Sequence, residues 1–304
     1  MALKNKRKMH ARNIFRTPPD YTELAIKYKD FRKVCKLELT GKVCIDYKNE
    51  LALRALTQTL LQEYFQLQIE FAPGSLVPTL PLRLNYILWL EDLVNCLQVN
   101  EVRGIDIGCG SSCIYSLLAA RKNSWHMLAL ESNAANLEFA IKNVQCNALQ
   151  ELVQIYQQTD KNVIFANYFE TLAPTDATIF HFCLCNPPFY DSTLPQPFTA
   201  NTRNPEKRPE PRNCPTGQTD ELACDGGEVA FVQRIIDESW LFSNRVNIFT
   251  SMLGHKSSLG KLSDILRANK IENFTSTEFC QGNTTRWGIA WSFSDKLELR
   301  KICV

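Results

Sequence analysis

Arg103-Gly104-Ile105-Asp106-Ile107-Gly108-Cys109-Gly110 is the stretch on which the fold turns. Residues 102–107 read as a buried strand, and glycines follow it at once. Glycine reaches positive φ without steric cost and leaves no Cβ between the backbone and a ligand. Residues 113–121 then carry a helical pattern, so the turn leads from the carboxyl end of a strand into a helix. Open α/β sheets bind their ligands at that edge. A P-loop is excluded, because no Gly-Lys-Ser/Thr follows. Turns of this kind serve several nucleotides, so the turn alone does not choose a ligand.

Working downstream, residues 125–130 form a second apolar strand ending at Glu131, and residues 133–143 a helix. Short strands follow at 152–156 and 179–185, the latter ending at Asn186. A helix at 228–240 and a strand at 246–253 continue the alternation. Segments 274–280 and 287–293, separated by Gln281-Gly282-Asn283, read as a β-hairpin. Strands alternating with helices predict a parallel doubly wound sheet, to which the hairpin adds one antiparallel strand. Upstream, residues 82–97 and 51–64 are helical in pattern, with Leu53, Leu56, Leu60 and Leu61 on one face of the latter. Residues 37–47 suggest a strand pair around Gly41, and Pro18-Pro19-Asp20 opens a helical stretch to about residue 34. Residues 72–81 read as a linker. The expected organisation is a basic module over 1–78, a catalytic domain over 79–296 and a tail over 297–304. Within the catalytic domain, residues 190–227 match no element and are expected to form a substrate loop.

Composition narrows the class. A chain that is 45% hydrophobic and 22% charged can bury a full core. Its net charge of +2 confines any nucleic-acid surface to local clusters. The twelve cysteines include no CxxC pair, and Cys183-Leu184-Cys185 lies in a strand, so buried thiols are expected rather than a zinc site. Four histidines lack ligand spacing, and no metal is expected. With no signal peptide and no apolar run of about 18 residues, the protein is expected to be soluble and intracellular.

Two features sharpen the chemistry. Glu131, at the end of the strand after the glycine turn, can accept two hydrogen bonds from a ribose diol. Asn186-Pro187-Pro188-Phe189 follows a later strand at the same sheet edge. Consecutive prolines stiffen the chain and remove donors while leaving carbonyls free. The Asn186 side-chain oxygen and a nearby backbone carbonyl can hold the two N–H groups of a planar amine in line with a methyl donor. Phe189 can lie flat against a base. Drawing on the amine hydrogens restores the nitrogen's nucleophilicity, and alignment supplies much of the rest. The combination predicts methyl transfer to a planar nitrogen.

The glycine turn together with Asn-Pro-Pro-Phe is the pair of class I amino-methyltransferases. Met9-His10-Ala11-Arg12-Asn13, the run from Val77 through Tyr86, Cys185 through Phe189, and Thr277-Glu278-Phe279-Cys280-Gln281-Gly282 extend the resemblance over nearly the whole chain. They resemble the methyltransferase-like protein sixteen family of U6 small nuclear RNA adenine-N6 methyltransferases. The resemblance implies a Rossmann-like class I fold, α/β, with a seven-stranded mostly parallel sheet and a small amino-terminal module. S-adenosylmethionine is the implied cofactor, with contacts at Arg83, Gly108, Glu131, Asn162 and Asn186; Asp106 and Gly110 join them from the glycine turn. Asn162 stands where the family is expected to have Thr. The catalytic residues expected are Asn186, Pro187, Pro188 and Phe189.

The expected partner is structured RNA, U6-like or a messenger RNA hairpin, with no membrane and no metal. Lys4, Lys6, Arg7, Lys8 and Arg12 form a basic amino terminus suited to phosphates. The resemblance adds RNA contacts at Pro18, Pro19, Asp20, Tyr21, Lys161, Arg203, Met252 through Lys256 and Cys280 through Arg286. Residence in the nucleus, with the cytoplasm as a second place, follows from that substrate. Two other readings use the same residues: a protein glutamine-amide methyltransferase, which Phe189 and the basic terminus disfavour, and an inactive RNA-binding module, which Asp106, Glu131 and Asn186 disfavour.

Overall fold

The computed structural model describes residues 9–173, 175–194, 216–282 and 284–302. The amino-terminal part contains helices α1 (Tyr21–Lys27) and α2 (Lys29–Val34), a hairpin of β1 (Cys35–Leu37) and β2 (Val43–Ile45), and helix α3 (Glu50–Phe65). The helical stretch expected to run unbroken to residue 34 is divided at Tyr28, which is extended (φ −113°, ψ 104°). Its hydroxyl donates to Glu63 on α3 instead.

Helix α4 (Leu80–Asn95) leads into the sheet. Then come β3 (Arg103–Ile107), α5 (Ile114–Asn123), β4 (His126–Glu131), α6 (Ala134–Cys146), β5 (Val153–Gln157), a one-turn α7 (Ala166–Phe169) and β6 (Phe180–Cys185). After the short β7 (Tyr190–Asp191), α8 (Thr219–Leu222) and β8 (Ala223–Cys224) come α9 (Gly227–Leu241), β9 (Val246–Leu253), α10 (Lys256–Ala268), β10 (Phe274–Gln281) and β11 (Thr284–Trp291). The main sheet has seven strands in the order β10-β11-β9-β6-β3-β4-β5. β11 pairs antiparallel with both β9 and β10, while the pairings among β9, β6, β3, β4 and β5 are parallel. The expected single antiparallel strand is therefore β11, inserted between β9 and β10.

Alternation along the strands sends residues to two cores, one on each face of the sheet. Ile105, Ile107, Leu128, Cys183 and Phe249 pack with Val232, Ile236, Leu262 and Leu266 of α9 and α10. Met127, Ala129, Phe182, Leu184 and Ile248 pack with α4 and α5. This second core continues without a break into Phe15, Leu24, Phe31, Ile45, Leu60 and Leu61 of the amino-terminal part. Residues 72–81 are bound into it: Arg54 donates to the Ala72 carbonyl, and Thr57 to the Pro78 carbonyl. Gly104 permits the close approach of β6, since a Cβ there would stand 2.3 Å from Phe182 Cζ.

Helix α10 has no counterpart in the sequence reading. Leu259, Leu262, Ile265 and Leu266 give it an apolar stripe at helical spacing, with serines and Gly260 among the positions between them. The last strand begins at Thr284 rather than at 287. The ten described cysteines are free thiols. Among the described residues no helix is long and apolar enough to cross a membrane, and no group of His, Cys, Asp and Glu is placed to hold a metal.

Candidate active site

The register of two neighbouring strands brings the two motifs together. Ile107 of β3 pairs with Cys185 of β6, so Gly108 and Asn186 leave the sheet side by side at its carboxyl edge. Gly108 and Gly110 have φ of +67° and +66°, where a side chain would be strained. A Cβ on Gly108 would meet nothing within 4 Å, so the turn presents bare backbone to open space at that residue.

Glu131 ends β4 beside this turn. Its Oε2 accepts the Gly110 N–H at 2.8 Å, and its Oε1 accepts the Asn133 N–H at 2.8 Å. Burial raises its pKa, and these backbone donors oppose the rise. Asp106, which pairs with Ala129 two residues before Glu131, lies on the same face of the sheet, toward α5. Its Oδ2 accepts both the N–H (3.2 Å) and the hydroxyl (2.8 Å) of Ser116 on α5, and burial pushes its pKa up to about 7. Expected as a cofactor contact, it anchors the helix behind the turn through this oxygen. Asn162 is exposed in the loop after β5, where its N–H donates to Asp160. That loop is held from α9, where Glu238 accepts the N–H groups of Ile164 and Phe165 and Arg234 donates to the Lys161 carbonyl.

Arg83, in the first turn of α4, reaches across to Asn186. Its Nη1 donates to Asn186 Oδ1 at 2.6 Å and to the Tyr115 hydroxyl at 2.7 Å, with Met252 Sδ at 3.7 Å. A guanidinium only donates, so this contact fixes which end of the Asn186 amide is the oxygen. Among the described residues Arg83 Nε is buried with no partner, as is Ser111 Oγ in the turn and Gln158 Oε1 just after β5. Buried polar atoms of this kind ordinarily have partners. Together with the open glycine cradle, they fit a polar nucleoside cofactor lying across the turn.

Phe189 is set from two sides. A Cβ on Gly254 would be 2.8 Å from Phe189 Cγ, so the backbone after β9 lies against the ring. The buried Glu228 holds that backbone by accepting the N–H groups of Gly254 (2.5 Å) and His255 (3.0 Å). The Arg286 guanidinium, on β11, stands 5.1 Å from the Phe189 ring centroid. Beneath Asn186, the Tyr86 hydroxyl hydrogen-bonds with Thr250 Oγ1 (2.7 Å) and accepts the Cys185 N–H (3.4 Å). Tyr115 and Glu228 escaped sequence reading, while Tyr86 entered it only within the run from Val77 and Gly254 only within the expected RNA segment 252–256. Glu228 was visible as an acid opening a helix, but its reach to the segment after β9 was not.

The expected RNA residues divide. Lys4, Lys6, Arg7, Lys8 and Arg203 lie outside the described residues. Lys161 and Lys256 are exposed at the carboxyl edge of the sheet, where Arg286 also lies. Met252 is wholly buried, as is Cys280, whose carbonyl accepts from Asn85. Arg12 is committed to α4: its Nη2 donates to the Leu88 carbonyl and pairs with Asp92 at 2.5 Å. These partners lie about 8 and 13 Å along the helix axis from Arg83. Pro18 is exposed and Pro19 half-buried, Asp20 caps α1, and Tyr21 packs edge-on against Phe31 with its hydroxyl on Tyr47.

A sequence model of a family described as RNA methyltransferase matches residues 3–295. The U6 small nuclear RNA (adenine-(43)-N(6))-methyltransferase of Drosophila pseudoobscura pseudoobscura is 62% identical over 289 residues, which is 95% of this chain and 94% of that one. The crystal structure of the human Mettl16 catalytic domain in complex with MAT2A 3'UTR hairpin 1 matches with a TM-score of 0.86 at 42% identity, covering 95% of this chain and 96% of that one. The N-terminal domain of human METTL16 in complex with SAH matches at 0.78 and 39% identity, covering 95% and 100%.

Proposed function

The chain belongs to the RNA methyltransferase family, and from that premise we propose that it methylates the N6 amine of an adenine in structured RNA such as U6 small nuclear RNA, with S-adenosylmethionine as donor. The observation that carries the reading is the register that sets Asn186-Pro187-Pro188-Phe189 directly beside the glycine turn. When bound, the cofactor supplies an electrophilic methyl group on its sulfonium.

This chain's own residues do the holding. Glu131 receives the ribose, and the unused Nε edge of Arg83 suits the carboxylate of the methionine part. Asn186 Oδ1 has a second lone pair beyond the one facing Arg83, and it accepts one amine hydrogen; the Pro187 carbonyl is the second acceptor. Phe189 supports the base. Lys161, Lys256 and Arg286 flank the pocket and meet RNA, the 190–227 loop reads its bases, and the basic residues of the 1–78 module add phosphate affinity. The proposed place of work is the nucleus, because the proposed substrate is a small nuclear RNA, with the cytoplasm as a second site; imaging of a tagged chain tests this.

The deciding experiment incubates the protein with labelled S-adenosylmethionine and a U6-like hairpin, then digests the RNA to nucleosides. N6-methyladenosine should form. Asn186→Ala should abolish it while leaving gel-shift affinity for the RNA largely intact. Label on a glutamine-containing peptide rather than on RNA would overturn the substrate assignment.

A further inference from the structure

Residues 216–222 cross the front of the glycine turn as a strap. On one side Thr216 Oγ1 accepts the Val77 N–H at 3.0 Å, and Gln218 Nε2 donates to the Pro73 carbonyl at 3.2 Å. On the other, Asp220 Oδ2 accepts from Asn133 Nδ2 at 3.0 Å, two residues beyond Glu131. Between these fastenings sits Glu221. Its Oε2 takes two backbone donors, the N–H of Leu76 (2.8 Å) and that of Gln218 (2.9 Å). Its Oε1 stands 3.8 Å from the point where a Cβ on Gly110 would be.

Gly110 therefore has two carboxylates near it: Glu131, bonded to its N–H, and Glu221, on the side where a Cβ would project. Burial raises the pKa of both acids, and the charge of Glu221 adds to the rise at Glu131. Among the described residues neither forms an ion pair. Arg54 acts on Glu221 from a distance and is itself paired with Glu50 at 2.7 Å. Like charges held this closely disfavour one another unless a cation is supplied.

The cofactor is such a cation. Its sulfonium carries a positive charge that becomes a neutral thioether once the methyl group has left. We propose that Glu221 is a second cofactor-facing carboxylate, which together with Glu131 makes the pocket prefer the sulfonium donor to the thioether product. The strap that ends the long loop thus becomes part of the cofactor pocket, and Glu221 acts as a positioning residue that favours exchange of product for fresh donor. The inference rests on the methyltransferase reading.

The test is calorimetric affinity of the full chain for S-adenosylmethionine and S-adenosylhomocysteine, reported as a ratio. Glu221→Gln keeps an oxygen for the Leu76 and Gln218 N–H groups and removes only the charge. It should weaken donor binding by about tenfold while changing product binding little, which is the scale of an opposite charge in a half-buried setting. Thr216→Val loosens the strap without altering charge and should leave the ratio at its wild-type value. In the unaltered protein, an analogue with a protonated amine in place of the sulfonium should bind like the donor, a result that needs no variant. An unchanged ratio in Glu221→Gln would overturn the inference, as would equal losses for both ligands or an equal fall of the ratio in Thr216→Val. Failure of the unaltered protein to bind either ligand would overturn the methyltransferase reading and this inference with it.

Discussion

Replacing Arg83 by Lys puts the site's central contact to a direct trial. The guanidinium holds Asn186 Oδ1 at 2.6 Å and the Tyr115 hydroxyl at 2.7 Å from one nitrogen, and leaves a buried Nε for a ligand. Lysine keeps the charge but presents a single compact head with no planar fork, so it cannot serve all three. One hydrogen bond to a charged group, worth about 1.5–3 kcal/mol, is lost outright, and the acceptor left behind is buried. We expect a total of about 2–4 kcal/mol, which corresponds to roughly thirty- to a thousandfold in kcat/KM for the cofactor. Steady-state methylation of a hairpin RNA measures it, with KM for the cofactor and kcat resolved separately. Loss of the fork should raise KM, and loss of the grip on Asn186 should lower kcat. If Arg83→Lys left both parameters within about twofold of wild type, the bridge would be incidental and the account of Asn186 would fail.

Glu131→Ala should weaken cofactor binding by about 2–4 kcal/mol, the value of one or two charge-assisted hydrogen bonds, and calorimetry on the folded variant will show whether it does. Asp106 carries a pKa raised from 3.8 to about 7. The folded state therefore holds its proton more tightly than the unfolded chain. The stability it contributes is complete below about pH 4 and is lost as pH rises to about 7, a change of up to roughly 4 kcal/mol. Asp106→Asn, which still accepts from Ser116, should raise the melting temperature at pH 8 and flatten its dependence over that window. An unaltered pH profile would mean that the carboxylate is not desolvated. Removing residues 1–8 should weaken binding to matched and mismatched RNA alike and reduce the salt slope. Arg12→Ala should instead cost about 1 kcal/mol of stability with the salt slope unchanged, because Arg12 is spent on Asp92 and Leu88. A lower salt slope in Arg12→Ala would return that residue to the RNA surface.

What the sequence disclosed were contacts set by local periodicity. The run from Arg103 to Gly110 fixed a strand, a turn and a helix because each feature depends on its own neighbours. Glu131 and Asn186 were legible because both end apolar strands of one sheet, and strand ends share an edge. The bridge from Arg83 to Asn186 was not legible, since it spans two elements whose packing depends on helix α4 meeting β6. The strap was hidden for a different reason: Thr219–Leu222 is one turn of helix inside a polar stretch with no period to detect. The pairing of Arg12 with Asp92 was not legible either, because a basic residue near a terminus gives no sign of the acids that a distant helix will bring to it.

The position of β11 bears on how the chain reaches this structure. β10 has β11 as its partner in the main sheet, and β11 is made after β10 although it lies between β10 and β9. During synthesis the edge of β9 therefore stays unpaired until residues 284–291 have been made. Pairing that is late and non-local is slow and leaves an open strand edge exposed to other chains. A stop codon or protease cut within β11 would forfeit two strands rather than one. It would also uncover Trp89, which packs edge-on against Phe279 of β10, and strip Asn85 of the Cys280 carbonyl. The yield of folded protein should thus fall abruptly, not gradually, as truncations move back past Trp291.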